Sequence, residues 1–142
     1  MFHPTAGKGV ITSGYLPPNR PDHFGIDLGV PVGTPIYAWR AGDVVIAITG
    51  CVAGNYECGG KAGNYVQILH KNNVQTQYLH LSQVLVKRGQ KVKEGQLIGY
   101  SGNTGYSLGP HLHFGMLQNG KFINPTAYIT GSSTKKKTQI TG

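Results

Sequence analysis

The stretch Gly109-Pro110-His111-Leu112-His113-Phe114-Gly115-Met116 places two imidazoles two positions apart inside an apolar run. On an extended strand, residues i and i+2 point to the same face. His111 and His113 therefore look out together, while Leu112, Phe114 and Met116 turn the other way. One face of this strand suits a core and the other carries two nitrogen bases, so the rest of the chain is read for partners to that second face.

The composition fits a strand here. The 142 residues include 22 Gly and 8 Pro, and the apolar segments are short and rich in Val, Ile and Tyr, which suits many turns between short strands. The length fits one domain with a real core. The expected fold is all-β: a small antiparallel sandwich or half-open barrel whose sheet floors a loop-walled groove. Residues 1–10 read as a surface lead-in, 11–130 as the domain, and 131–142 as a basic tail expected to be disordered.

Working upstream, Ser101-Gly102-Asn103-Thr104-Gly105 lacks the Lys-Ser/Thr of a phosphate loop and reads as a turn. Asn64 to His70 and Val74 to His80 form a hairpin across Lys71-Asn72-Asn73. Alternation in its second arm puts Val74, Thr76, Tyr78 and His80 on one face, an imidazole beside a tyrosine. Val44 to Thr49 is a β-branched run expected to be a strand buried on both faces. Residues 30–44 echo the Val/Gly rhythm of residues 86–99, which suggests a duplicated hairpin motif. Ile11 to Pro21 is dense in turn formers and reads as a loop. In His23-Phe24-Gly25-Ile26-Asp27 the even spacing puts His23 and Asp27 on one side of an extended chain.

Formal net charge is +8, which favours anionic partners. Three of those charges lie in Lys135-Lys136-Lys137, a solvated tail on the plain reading. Nucleic acid and an acidic bacterial cell wall both satisfy the charge, but no stripe of aromatics interleaved with Lys or Arg supports a nucleic-acid module. No run approaches the ~18 apolar residues of a membrane span, and the first twenty residues lack a signal peptide's apolar centre. An extracellular or wall location then implies a removed segment, another domain, or delivery by phage or lysis. Cys51 and Cys58 are either a disulfide clipping a glycine-rich loop or two free thiols; they match neither a metal knuckle nor a redox motif.

Zinc takes three or four His, Cys or carboxylate ligands, and a hydrolytic zinc keeps one position open for water. The chain has six His and five carboxylates, Asp22, Asp27, Asp43, Glu57 and Glu94. His23, Asp27 and one member of the closing pair make a His2Asp set, with the other member and His80 left as bases. No His-Glu-x-x-His helix is present, so imidazole takes the place of a glutamate base.

Three blocks in order, His23-Phe24-Gly25-Ile26-Asp27, Tyr78-Leu79-His80-Leu81-Ser82 and Gly109-Pro110-His111-Leu112-His113-Phe114, resemble the lysostaphin-type zinc endopeptidases, family M23 or LytM domains. The likeness covers roughly residues 11–129, since Gly33-Thr34-Pro35-Ile36-Tyr37-Ala38, Gly63-Asn64-Tyr65-Val66 and Gly95-Gln96-Leu97-Ile98-Gly99 match too. The resemblance implies one Zn2+ on His23, Asp27 and His113. It implies catalytic roles for His111, as the base, and His80, holding the water or the oxyanion, with those two roles open to exchange. The implied substrate is peptidoglycan, cut at a cross-bridge or stem peptide by a monomer. A non-catalytic LytM-type domain that binds wall or activates a hydrolase is the rival; such domains lose ligands, and this chain keeps all five positions.

Two departures touch the groove walls. Gly14-Tyr15-Leu16-Pro17-Pro18-Asn19-Arg20 stands where members often carry aromatic-Gly-x-Arg, leaving Tyr15 loosely aligned with an oxyanion tyrosine, and Leu108 replaces a threonine. Elsewhere packing roles are expected: His70 as a structural histidine, His3 at the surface, Trp39 and Tyr65 in packing, Asn64 at a turn edge, and Tyr78 either in the groove wall or orienting His80.

Overall fold

The computed structural model describes residues 1–129; the expected disordered tail lies outside them. Ten strands, β1 Val10–Ser13, β2 Ile26–Gly29, β3 Pro35–Tyr37, β4 Gly42–Ile48, β5 Asn64–Leu69, β6 Val74–Val84, β7 Lys91–Val92, β8 Leu97–Ser101, β9 Leu112–Gln118 and β10 Lys121–Ile123, precede one helical turn, α1 Thr126–Ile129. All pair antiparallel in one connected, unclosed sheet in the order β1-β2-β9-β6-β5-β4-β7, with β10 beside β9 and β8 bridging β6 to β3. This is the open form of the all-β architecture that the turn-rich composition predicts.

Alternation builds the core. Ile26 and Leu28 of β2 stand opposite Phe114 and Leu112 of β9, and all four are buried with Val66, Ile68, Tyr78 and Met116. Ile36 of β3 and Ile98 of β8 complete the same apolar cluster. At roughly 25 cal/mol per Å² of apolar surface, each such side chain contributes about 1.5–3 kcal/mol through burial.

The two echoing segments lie side by side. β3 pairs with β8, the Ala38 amide donates to the Gln96 carbonyl at 2.9 Å and the Gly95 amide to the Ala38 carbonyl at 2.8 Å. The hairpin forms as expected, its turn a 3-10 segment Lys71–Asn73.

Several expectations are corrected. Residues 1–10 do not all lie on the surface: Gly7 to Val10 are exposed, but Phe2 is buried, its ring 5.3 Å from that of Tyr37, and its amide donates to the Trp39 carbonyl at 2.8 Å. Burial of one aromatic outweighs the lack of periodicity that made the segment look peripheral. His3 is half-buried, with Nδ1 accepting the Thr5 and Gly7 amides at 3.2 and 3.0 Å. Ile11 to Ser13, read as the start of a loop, belong with Val10 to the edge strand β1. The run at β4 is buried on one face only: a register shift between Val44 and Ile46 puts Val44 and Ala47 on the core side, opposite buried Ile68 and Val66, and leaves Ile48 exposed on the other.

Candidate metal centre

β6 is the longest strand and changes partner along its length. Val74 to Leu79 pair with β9, whereas Leu81 to Val84 pair with β8. His80 sits at the change, with a left-handed φ of 67°. A bulged residue on a strand breaks the two-residue alternation. His80 therefore leaves the Tyr78 face, contrary to expectation, and joins His113, which stands opposite Leu79. Tyr78 is instead a core residue, its hydroxyl held by Thr76 at 2.8 Å and accepting the Trp39 amide at 3.0 Å. Burial raises its phenol far above the ordinary value, so it is a neutral packing group, neither wall nor orienting residue.

Asp27 of β2 faces His113 of β9 in direct register. His23 lies four residues before Asp27, and its Nδ1–H donates to the Gly14 carbonyl at 2.7 Å, which leaves Nε2 as a lone pair. His23 Nε2, Asp27 Oδ1 and His113 Nδ1 form a triangle with sides of 3.1, 3.2 and 3.2 Å. Ligand atoms about 2.0–2.1 Å from a tetrahedral zinc stand roughly 3.3 Å apart, so this donor set and spacing fit a zinc ion. Gly25 makes the approach possible: a Cβ there would stand 2.5 Å from His113 Nε2 and 2.7 Å from the Phe114 carbonyl oxygen.

The second oxygen of Asp27 is also engaged, accepting from Arg20 Nη1 at 3.0 Å. Burial alone would raise the Asp27 carboxyl; the hydrogen bond from His113 and the charges of His111, His113 and His23 outweigh it and hold the group below the ordinary carboxylate range. Burial pushes His113 below the ordinary imidazole value, against the opposing pull of Asp27. An ionised Asp27 carboxylate beside a His113 ring that burial pushes toward its neutral form presents lone pairs, the forms a metal needs.

Two further imidazoles face this triangle. His80 and His111 have ring centroids 4.8 Å apart, and His80 and His113 6.1 Å. Each is pinned by its inner nitrogen: His80 Nδ1–H donates to the Thr104 carbonyl at 2.7 Å, and His111 Nδ1–H to the Gly109 carbonyl at 2.8 Å. Both Nε2 atoms are thus left as acceptors; that of His111 lies 3.5 Å from Asp27 Oδ1. Burial, with the charges of His111 and His113, pulls His80 down to about 4. All five residues singled out in the sequence are brought together.

The residues that set these orientations carry little sequence signal. Thr104, Gly109 and Gly14 act through carbonyl oxygens. Arg20 and Tyr106 reach the site from loops. Two clefts of about 420 and 320 Å³ share Arg20, His80, Tyr106 and His113. Leu108 lines the first, whereas Tyr15 packs against the apolar core and lines neither. Beside them, Cys51 and Cys58 form a disulfide. Asn64, expected at a turn edge, is buried and holds this loop: its Oδ1 accepts the Cys51 amide at 2.8 Å, and its Nδ2 donates to the Cys51 and Leu81 carbonyls at 3.1 and 3.0 Å. His70 packs as expected, between the Ala41 carbonyl at 2.9 Å and Thr76 Oγ1 at 2.8 Å.

An unclosed antiparallel sheet thus carries a His-Asp-His triangle that could hold a metal ion, with two imidazoles beside it. The profile of Peptidase family M23 matches residues 21–125, and the chain belongs to that family. The chain is 49% identical over 102 residues to the peptidoglycan DD-endopeptidase ShyA of Vibrio cholerae, covering 72% of this chain and 22% of ShyA. It is 43% identical over 106 residues to lysostaphin of Staphylococcus simulans, covering 74% of this chain and 20% of lysostaphin. The chain thus spans about a fifth of the length of these relatives. Among solved structures, the lysostaphin catalytic domain superposes with a TM-score of 0.67 at 32% identity, covering 86% of this chain and 90% of that one. A zinc-containing peptidase from Vibrio cholerae superposes with a TM-score of 0.69 at 35% identity, covering 85% and 36%.

Proposed function

We propose that this chain is a zinc-dependent endopeptidase that hydrolyses peptide bonds of bacterial peptidoglycan. The observation that carries the reading is the triangle of His23 Nε2, Asp27 Oδ1 and His113 Nδ1, matched in size to a zinc ion and overlooked by two imidazole acceptors. A bound zinc would supply a Lewis acid for the scissile carbonyl and lower the pKa of water. His23, Asp27 and His113 would hold it.

The remaining chemistry falls to His111 and His80. His111 Nε2, closest to the triangle, takes a proton from the attacking water and returns it to the departing amine. His80 has its Nδ1–H committed to Thr104, so its neutral ring accepts and does not donate at Nε2. It positions the attacking water through that lone pair; burial holds its pKa down to about 4, which disfavours its taking up a proton. The net positive charge suits an anionic polymer. The Cys51–Cys58 disulfide supports work outside the cytoplasm, in the wall or after phage delivery, and the protein acts as a monomer.

Metal analysis tests the site. The purified protein is expected to hold one zinc per chain, and His113→Ala to lose it while His111→Ala retains it. Absence of zinc from the intact protein after reconstitution overturns the reading.

A further inference from the structure

The 320 Å³ cleft on the His23 side has a composition that holding zinc does not explain. Its lining includes Arg20, Lys61, Gln77 and the stacked pair Phe24 and Phe122, whose ring centroids are 5.1 Å apart. Arg20 is engaged by Asp27. Lys61 is exposed, and among the described residues its ammonium has neither a hydrogen bond nor an ion pair. Asp22 lines the same cleft without pairing to it. Lys61 is therefore an uncompensated cation at the lip of the metal centre.

The backbone makes its presence there more informative. Lys61 has a left-handed φ of 79°, in a loop where Gly59, Gly60 and Gly63 take the other left-handed positions at 67°, 65° and 69°. Glycine adopts this region without cost, whereas a residue with a Cβ is strained. The Lys61 carbonyl accepts the Tyr106 amide at 2.8 Å, which ties the lysine to a residue that lines both clefts. A strained lysine with no internal partner, in a position that suits glycine, points to a ligand for its charge.

Building on the peptidase reading, we propose that this cleft is a carboxylate-binding subsite. In it Lys61, backed by Arg20, recognises a free carboxylate on the substrate peptide beside the scissile bond. The apolar face of Phe24 and Phe122 receives the neighbouring aliphatic chain. The favoured substrate class is then an anionic peptide cross-link rather than a neutral glycine bridge.

The test uses two synthetic cross-linked peptides, identical except that the residue donating the scissile nitrogen carries a free carboxylate in one and a carboxamide in the other. The zinc-loaded protein is expected to show a kcat/KM roughly tenfold higher for the carboxylate, the scale of one charge-assisted contact. Lys61→Gln brings the ratio near one, and Asp22→Asn, removing the like charge, raises it. Lys61→Gly loses the preference too, but keeps its thermal stability because the backbone suits glycine. Equal hydrolysis of both peptides by the unaltered protein, or full preference retained in Lys61→Gln, overturns the subsite. Cleavage of a glycine bridge with neither peptide cut overturns the subsite and leaves the peptidase reading standing; no cleavage of any substrate overturns the peptidase reading itself.

Discussion

His113 and Asp27 stand directly opposite each other on adjacent strands, with Nδ1 and Oδ1 3.2 Å apart. Register alone brings them together: the pairing that buries Phe114 against Ile26 and Leu112 against Leu28 must place the residues between them on the other face. The His-Asp-His triangle is thus a by-product of core packing, and changes to the strand pair reach it at once. Gly25, whose missing Cβ gives His113 room, is the most sensitive point. Gly25→Ala is expected to destabilise the fold by about 1–3 kcal/mol through overpacking and to weaken zinc binding, measured by denaturation and metal titration. Unchanged zinc affinity would show that the ring has space elsewhere.

The two facing imidazoles are expected to separate in kinetics. His111→Ala should lower kcat by roughly 10²–10⁴, the usual contribution of a positioned base, with zinc retained. His80 is held neutral down to about pH 4. His80→Ala should therefore cost less, and leave in place the midpoint of any acid-side loss of kcat/KM above about pH 5. A shift of that midpoint in His80→Ala would exchange the two roles.

How far these residues could be read from the chain depends on backbone regularity. His111, His113, His23 and Asp27 lie on regular extended backbone, where a period of two names the face. Their blocks also resemble the M23 pattern. His80 could be named from that resemblance, but its face could not: alternation sent it to the Tyr78 side, and only the left-handed bulge, where β6 trades β9 for β8, turns it toward the site. Thr104 and Gly109 were invisible as partners because their carbonyl oxygens look like those of any other residue. The burial of Phe2 has no sequence signal, because one buried ring has no period.

The disulfide closes the loop that Asn64 pins beside Thr104, whose Oγ1 accepts the Asn64 amide at 3.1 Å and whose carbonyl orients His80. Replacing both cysteines with serine is expected to cost about 2–3 kcal/mol of stability by chain entropy, read as a lower denaturation midpoint. Because the loop leads to His80, kcat should fall as well, by less than in His111→Ala.

Acid should destabilise the fold partly through His70. Burial, with the Arg40 charge, holds its imidazole below the ordinary value of about 6.5, against the hydrogen bond to Ala41. The unfolded chain takes up this proton at higher pH than the folded one, so stability falls as pH drops below about 6.5. His70→Gln is expected to flatten the dependence of unfolding free energy on pH between about 7.5 and 5.5, whatever its absolute cost. An unchanged slope would mean that His70 charges in the folded state.

The central claim is that the His-Asp-His triangle makes this chain a peptidoglycan endopeptidase. It is tested most directly by mass analysis of fragments released from purified peptidoglycans of differing bridge chemistry by the zinc-loaded protein, beside His113→Ala. The intact protein is expected to produce new amino termini within the peptide cross-links or stems, and the variant none. Intact peptides after full zinc loading, or equal release by His113→Ala, would contradict it.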